Sequence, residues 1–274
     1  MNRRDFIKNR MQKHYNILVE RGYDVFALML HGSQNYEMDE YSDEYFSDVD
    51  TKAIIIPSLH DIIFHTEYVS DIIVTEDNEH IDVKDIRKMF ESFKKQNINY
   101  LEILFTPYYI VSNEYIEFFN ELRDNANDIV KISKKLFISA ACGTCENKYR
   151  HYLKPTPHSE AKIAEFGYDP KELHHLLRCK EFTERFVCNG ESFNDCLVSK
   201  RKDWLMRVKK GTEYTLEQAI EEAEAAKKWF DKLKAEQDSG SIPPWPRESQ
   251  KAGEIKLNML IEEVLVKKLR SELL

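Results

Sequence analysis

Apolar and polar positions fall into blocks along this chain, and the period of the blocks changes near residue 113. Residues 3 to 21 carry Phe6, Ile7, Met11, Tyr15 and Leu18 on one helical face, and Gly22 supplies a stop. The opposite face is basic (Arg3, Arg4, Lys8, Arg10, Lys13), either a solvated helix side or a surface for RNA. Two short apolar runs follow, Val25-Phe26-Ala27-Leu28-Met29-Leu30 and Ala53-Ile54-Ile55-Ile56, each bounded by polar or turn residues as buried strands are. The pattern predicts strands near 25 to 31, 49 to 56, 69 to 75 and 79 to 83. A helix is expected from Val83 or Asp85 to Gln96, with Ile86, Met89, Phe90 and Phe93 spaced for burial. Tyr100 to Phe105 suits strand or helix by period alone, and Pro107 stops it. Glu102 within it reads as a partnered buried carboxylate or an edge residue.

Beyond 113 the period is helical nearly throughout, with helices predicted over 113–124, 127–152, 158–166, 170–188, 194–209, 215–237 and 249–271. Thr215-Leu216-Glu217-Gln218 is a capping box, and Asp238-Ser239-Gly240-Ser241 followed by Pro243 and Pro244 is a break. The expected architecture is a small mixed-sheet α/β (α+β) domain over 1–112 and an all-helical domain over 113–274, with a cleft between them.

The 274 residues are 42% apolar, enough for a real core. No run of 18 apolar residues exists to cross a membrane, and the N-terminus lacks an apolar signal core. Five cysteines, an odd number, suit a reducing cytoplasmic compartment. A net charge of −8 argues against tight nonspecific duplex binding through a globally basic surface.

Candidate chemistry concentrates between the two central strands. His31-Gly32-Ser33-Gln34-Asn35-Tyr36 leaves the first, and Ser47-Asp48-Val49-Asp50 opens the second. In a strand, residues i and i+2 share a face, so Asp48 and Asp50 project together while Val49 points to the core. Two such carboxylates repel unless a cation lies between them, and Mg²⁺ suits a pair that shares it with phosphate oxygens. Asp82, alternating with Ile81 and Val83 on a half-buried strand, offers a third carboxylate, and three such aspartates suit two-metal phosphoryl-type transfer. Ser33 and the Gly32 and Ser33 amides would face a phosphate.

Lys171, His175 and Arg178 share one helical face. Cys142-x-x-Cys145 is a single pair without a spaced second pair, which is weak grounds for zinc. Lys200-Arg201-Lys202 with Arg207, Lys209 and Lys210 around Trp204 is the best basic and aromatic patch, a guide for RNA or a solvated helix face.

The Gly-Ser turn, the Asp48-x-Asp50 pair and the distal Asp82 together resemble the DNA polymerase β-type nucleotidyltransferase superfamily. More narrowly, the chain resembles predicted nucleotidyltransferases of the RNA-repair-pathway polymerase β family. These carry Gly-Ser-x-x-Tyr (Gly32, Ser33, Tyr36), Ser-Asp-x-Asp (Ser47, Asp48, Asp50) and a late element, here Gly167-Tyr168-Asp169-Pro170-Lys171 with His175 and Arg178. The insert between Ser33 and Asp48 is longer than in that family, and Glu37 stands where it has a small residue.

The resemblance implies transfer of a nucleoside monophosphate from a nucleoside triphosphate to a hydroxyl on an RNA end, a protein or a small molecule, with release of pyrophosphate. It implies Mg²⁺ or Mn²⁺ on Asp48, Asp50 and Asp82, with Asp82 assisting as base. Nucleotide contacts would come from Gly32, Ser33, Tyr36, Tyr168, Lys171, His175 and Arg178. The rival readings are a nucleotide-binding module without turnover, suggested by the altered loop, and a metal-dependent phosphodiesterase, which would need no Gly-Ser turn.

Overall fold

In the computed structural model, residues 2–42, 46–157 and 159–273 are described. The chain forms two compact units, 1–132 with 246–274, and 133–245.

The first unit is built on a five-stranded mixed sheet of order β3-β4-β2-β1-β5. Its strands are β1 (Asp24–His31), β2 (Asp50–Ile56), β3 (Ser70–Val74), β4 (His80–Asp85) and β5 (Tyr109–Val111). β1 and β2 run antiparallel at the centre, where almost every side chain is buried, as their unbroken apolar runs require. β4 lies parallel to β2, while β3 and β5 are antiparallel edges. A bulge between Val25 and Ala27 shifts the alternation of β1.

Helix α1 (Arg3–Glu20) is capped by the Asn2 side chain on the Asp5 amide. It lays Ile7, Met11 and Leu18 against Val25, Leu28, Leu30, Val49, Ala53, Ile55, Ile81 and Val83, closing one sheet face. Between α1 and that face the sequence pattern had no place for His14, which is 1% exposed.

Short helix α2 (Leu59–Ile63) precedes β3, and α3 (Ile86–Lys94) follows β4, burying Ile86, Met89, Phe90 and Phe93 as expected. The ambiguous segment 100–105 is neither strand nor long helix: it is helix α4 (Ile98–Leu101) continued by a 3₁₀ turn (Glu102–Phe105). Helices α5 (Ile116–Asp124) and α6 (Ala126–Ile129) complete the N-terminal part.

After the break at Gly240, helix α13 (Arg247–Leu273) returns to this unit. Gly253 permits the contact, because a Cβ there would collide with the Asp128 carbonyl. The unit boundary therefore differs from the expected 112/113, since 113–132 and 246–274 belong to the unit that contains the sheet.

The second unit contains α7 (Lys134–His151), α8 (Glu160–Phe166), α9 (Pro170–Thr183), α10 (Phe193–Leu197), α11 (Lys202–Lys209) and α12 (Leu216–Asp238). The single helix expected over 127–152 is broken, with Ser133 capping the start of α7. The helix expected over 170–188 ends in a π turn over Glu184–Cys188. That expected over 194–209 splits because Glu181, buried in α9, takes the Ser199 hydroxyl and the Lys200 amide. Phe137, Phe182, Phe186, Phe193 and Trp245 form the aromatic centre, with Phe137–Phe186 and Phe182–Phe193 centroids both 4.9 Å apart. No helix among the described residues is long and apolar enough to cross a membrane.

Candidate functional site

The sheet face turned away from α1 is the unusual one. By alternation and register it carries Ala27, Met29 and His31 of β1, Asp50, Lys52, Ile54 and Ile56 of β2, and His80, Asp82 and Lys84 of β4. One end is apolar and lies near α3; the other is charged, around the Gly-Ser turn. Burying charge costs several kcal/mol per ion unless it is well paired, so such a face is a functional candidate rather than a stabilising device.

At its tip β1 leaves the ladder through Gly32, whose φ of +82° favours glycine. The Gly32 carbonyl accepts the Asn35 amide at 2.8 Å and the Ser33 carbonyl accepts the Met38 amide at 2.9 Å, winding the turn tightly. Beneath it lies Glu102, 1% exposed, which bonds His31 Nδ1 and accepts the Gly32 amide at 3.3 Å. The expected partner of this buried carboxylate is thus the turn itself. The Ser33 hydroxyl is partly exposed and bonds no described residue. Tyr36 is 5% exposed and packs inward, and Glu37 follows it with a left-handed φ of +58°. Asp43, Glu44 and Tyr45 of the long insert lie outside the described residues.

Asp50 stands across from His31, and a Cβ on Gly32 would come 3.9 Å from Asp50 Oδ2. Val49 is fully buried while Asp48 is exposed and Asp50 half-buried, the alternation that puts both carboxylates outward. Asp50 Oδ1 accepts the His80 amide at 2.9 Å, with His80 Nδ1 at 3.2 Å.

This segment is gripped from the α1 side. Glu79 accepts the Val49 amide at 3.0 Å, Arg10 Nε at 2.8 Å and bonds His14 Nε2 at 3.0 Å. His14 Nδ1 reaches the Thr51 hydroxyl at 3.0 Å. Burial pushes the Glu79 carboxyl up, but His14, Arg10 and the Val49 amide outweigh it and hold it below the usual carboxylate range. The pairing of His14 with Glu79 went unnoticed in the sequence; a histidine inside an apolar helical stripe was the available signal.

Asp82 is held by two lysines. In the ladder it lies beside Lys52, whereas Asp50 lies beside His80, two residues or about 6.6 Å back along the strand. Its carboxylate pairs with Lys52 at 2.7 Å and Lys84 at 3.1 Å, and both ammoniums sit over the Tyr100 ring, at 4.3 and 5.4 Å from its centroid. Burial raises the Asp82 carboxyl, and the two lysines overcome that and lower it. Among the described residues no group of three or more His, Cys, Asp or Glu side chains is gathered to hold a metal ion. The Asp48 and Asp50 carboxylates suit one ion that takes its remaining ligands from phosphate and water.

In the second unit the late element is a helix start. Gly167 closes α8 with a φ of +79°, Asp169 caps α9 by accepting the Lys171 amide at 2.8 Å, and Pro170 occupies the first turn. Tyr168 is fully buried and donates to the Tyr214 carbonyl at 3.3 Å, so it packs the helix start. Lys171 is exposed, while His175 and Arg178 are half-buried. His174, the neighbour that spacing passed over, is 1% exposed and stacks on His175 at 5.2 Å. Burial, then Arg178, Lys209 and Lys171, drives the His174 imidazole down to about 3.

All five cysteines are free thiols, and burial raises the Cys145 and Cys179 thiols. In the basic patch, Arg201 lies 4.0 Å from the Trp204 centroid, but Lys200 and Arg207 are paired with Glu191 and Glu213.

No protein-family model matches the chain, and neither does any curated protein. Among solved structures, a nucleotidyltransferase-like protein from Exiguobacterium sibiricum 255-15 aligns over 95% of this chain and 78% of its own length, at 11% identity and a TM-score of 0.28. A likeness that shallow carries no argument about activity, which has to come from the site itself.

Proposed function

We propose that the protein is a nucleotidyltransferase that moves a nucleoside monophosphate from a nucleoside triphosphate to an acceptor hydroxyl. One observation carries the reading: the left-handed Gly32 turn, with the unbonded Ser33 hydroxyl, closes onto Asp50 at the charged end of the sheet. An anion-accepting turn beside an outward pair of carboxylates is what a triphosphate with its cation requires.

In this reading the turn amides and Ser33 hold the terminal phosphates, and Glu102 keeps the turn in shape. Asp48 and Asp50 hold Mg²⁺ or Mn²⁺, which neutralises phosphate charge when bound. The acceptor oxygen bonds to the α-phosphorus as the bond to the bridging oxygen breaks. Pyrophosphate leaves with that electron pair, and the hydroxyl proton passes to solvent. Asp82, held ionised by two lysines, is a poor base for that proton. Catalysis rests on positioning and charge neutralisation. Of the late element, Lys171 is exposed at the start of α9 and Tyr168 packs that helix start.

The test is pyrophosphate release from each of the four ribonucleoside triphosphates with Mg²⁺ or Mn²⁺, with α-labelled phosphate followed onto RNA and protein. Label transfer that disappears in Asp48→Ala/Asp50→Ala is the expected result. Triphosphate binding without release or transfer would move the assignment to a binding module, and cleavage of nucleic acid without triphosphate would move it to a phosphodiesterase.

A further inference from the structure

Two-ion phosphoryl transfer needs carboxylates that can face two cations at once. Here the register of β2 and β4 sets which side chains lie directly side by side. Across from Asp50 stands His80, and the nearest carboxylate on β4 is one same-face position farther on, beside Lys52. Lys52 is 5% exposed, and it shares Asp82 with Lys84 under the Tyr100 ring. Two ammoniums thus answer one carboxylate, leaving a surplus positive charge in a buried place, one same-face step from Asp50. A hydrophobic pair would fill that part of the sheet at lower cost.

We propose that this chain works with a single divalent ion, and that Lys52, held in place by Asp82, supplies the fixed positive charge that a second ion would otherwise bring to the phosphates. The inference rests on the reading of the site given above. Lys52 acts through its field rather than by contact: in a water-poor environment a fixed charge near a phosphate is felt strongly and needs no reorganisation. Asp82 is then the positioning residue of Lys52 and not a metal ligand. Tyr100 covers the ammonium and keeps it from water.

The experiment is electron paramagnetic resonance of Mn²⁺ bound to the full chain with a non-hydrolysable ribonucleoside triphosphate. The expected spectrum is that of one isolated Mn²⁺ per chain. Asp50→Asn abolishes it, and Asp82→Asn leaves it in place with ion affinity changed less than about threefold. Lys52→Gln keeps the ion but weakens triphosphate binding about tenfold, the size expected for removing one fixed charge that acts at a distance, and Lys52→Arg restores it. Melting curves accompany each variant, and Lys52→Arg gives an answer even where Asp82→Asn folds poorly. A coupled two-Mn²⁺ spectrum in the wild-type chain, or triphosphate affinity unchanged in Lys52→Gln, overturns the proposal while leaving the nucleotidyltransferase reading standing. A wild-type chain that takes up neither triphosphate nor ion overturns both.

Discussion

Single residues in this chain answer to partners far away in sequence, and that governs what substitutions do. Glu79 is 3% exposed and bonds three groups, so Glu79→Ala leaves the Val49 amide unpaired and takes one partner each from His14, which keeps Thr51, and Arg10, which keeps Asp77. The expected cost is about 3 kcal/mol, measured by urea denaturation. Its carboxyl lies below the ordinary range, so the stability it contributes is present above about pH 4.3 and is lost as pH falls through its lower folded value. Glu37→Gly should act oppositely. A non-glycine residue at φ +58° carries strain of about 1–2 kcal/mol, partly offset in the variant by the freer unfolded chain, so the melting temperature should rise. A fall would mean that the contacts of Glu37, Arg3 among the charges it faces, outweigh the backbone. The same long-range dependence set what was legible in the sequence. Alternation placed Asp82 on the open face of a half-buried strand, where it lies. Its neighbour Lys52 depends on a parallel register reached through the intervening β3, and no local pattern encodes that. Glu102 could be read as a buried, partnered carboxylate, whereas its partner His31 lies 71 residues away.

At the level of elements, legibility followed length and period. The two central strands were clear because unbroken apolar runs have one use in a mixed sheet, and α3 and α12 because their apolar stripes are regular. β5 was missed because three residues behind a proline carry no period. The breaks at Ser133 and at 198–201 were missed because they are made by a side-chain cap and by the buried Glu181. α9 carries a prediction of its own. His174 is buried and held neutral, with its imidazole at about 3, and burial drives His175 well below its ordinary value too. Unfolding frees both to bind protons near pH 6.5, so stability is full above that pH and falls as pH drops toward 3, by about 1.4 kcal/mol per unit for His174 alone. All three tryptophans lie in the second unit, so their fluorescence reads its urea midpoint. The midpoint should fall from pH 7 to pH 5, and His174→Leu should flatten that fall; an unchanged slope would remove His174 from the account.

The whole molecule is a chain that leaves its first unit at residue 132, builds a second, and returns at 246. A change of period near 113 marks where helices begin, but it cannot show that the last helix goes back to the first unit. What sends it back is a stripe on α13, Gly253, Leu257, Leu260 and Val264, backed by Lys256 on Asp128 at 3.1 Å and Lys268 on Asp24 at 2.8 Å. Burying the two leucines and the valine contributes about 5–8 kcal/mol, the same order as the about 5–15 kcal/mol that holds a whole domain. Residues 1–132 without α13 are therefore not expected to fold stably. Gly253→Val tests this within the intact chain. The added side chain meets the Asp128 carbonyl, so the helix must shift away from α6 at a cost of about 1–3 kcal/mol. Amide exchange in β1 and β2 should accelerate by about tenfold or more, while tryptophan fluorescence of the second unit stays unchanged. Equal acceleration in both units would mean that they unfold as one, and no acceleration in the sheet would mean that α13 is not what secures it.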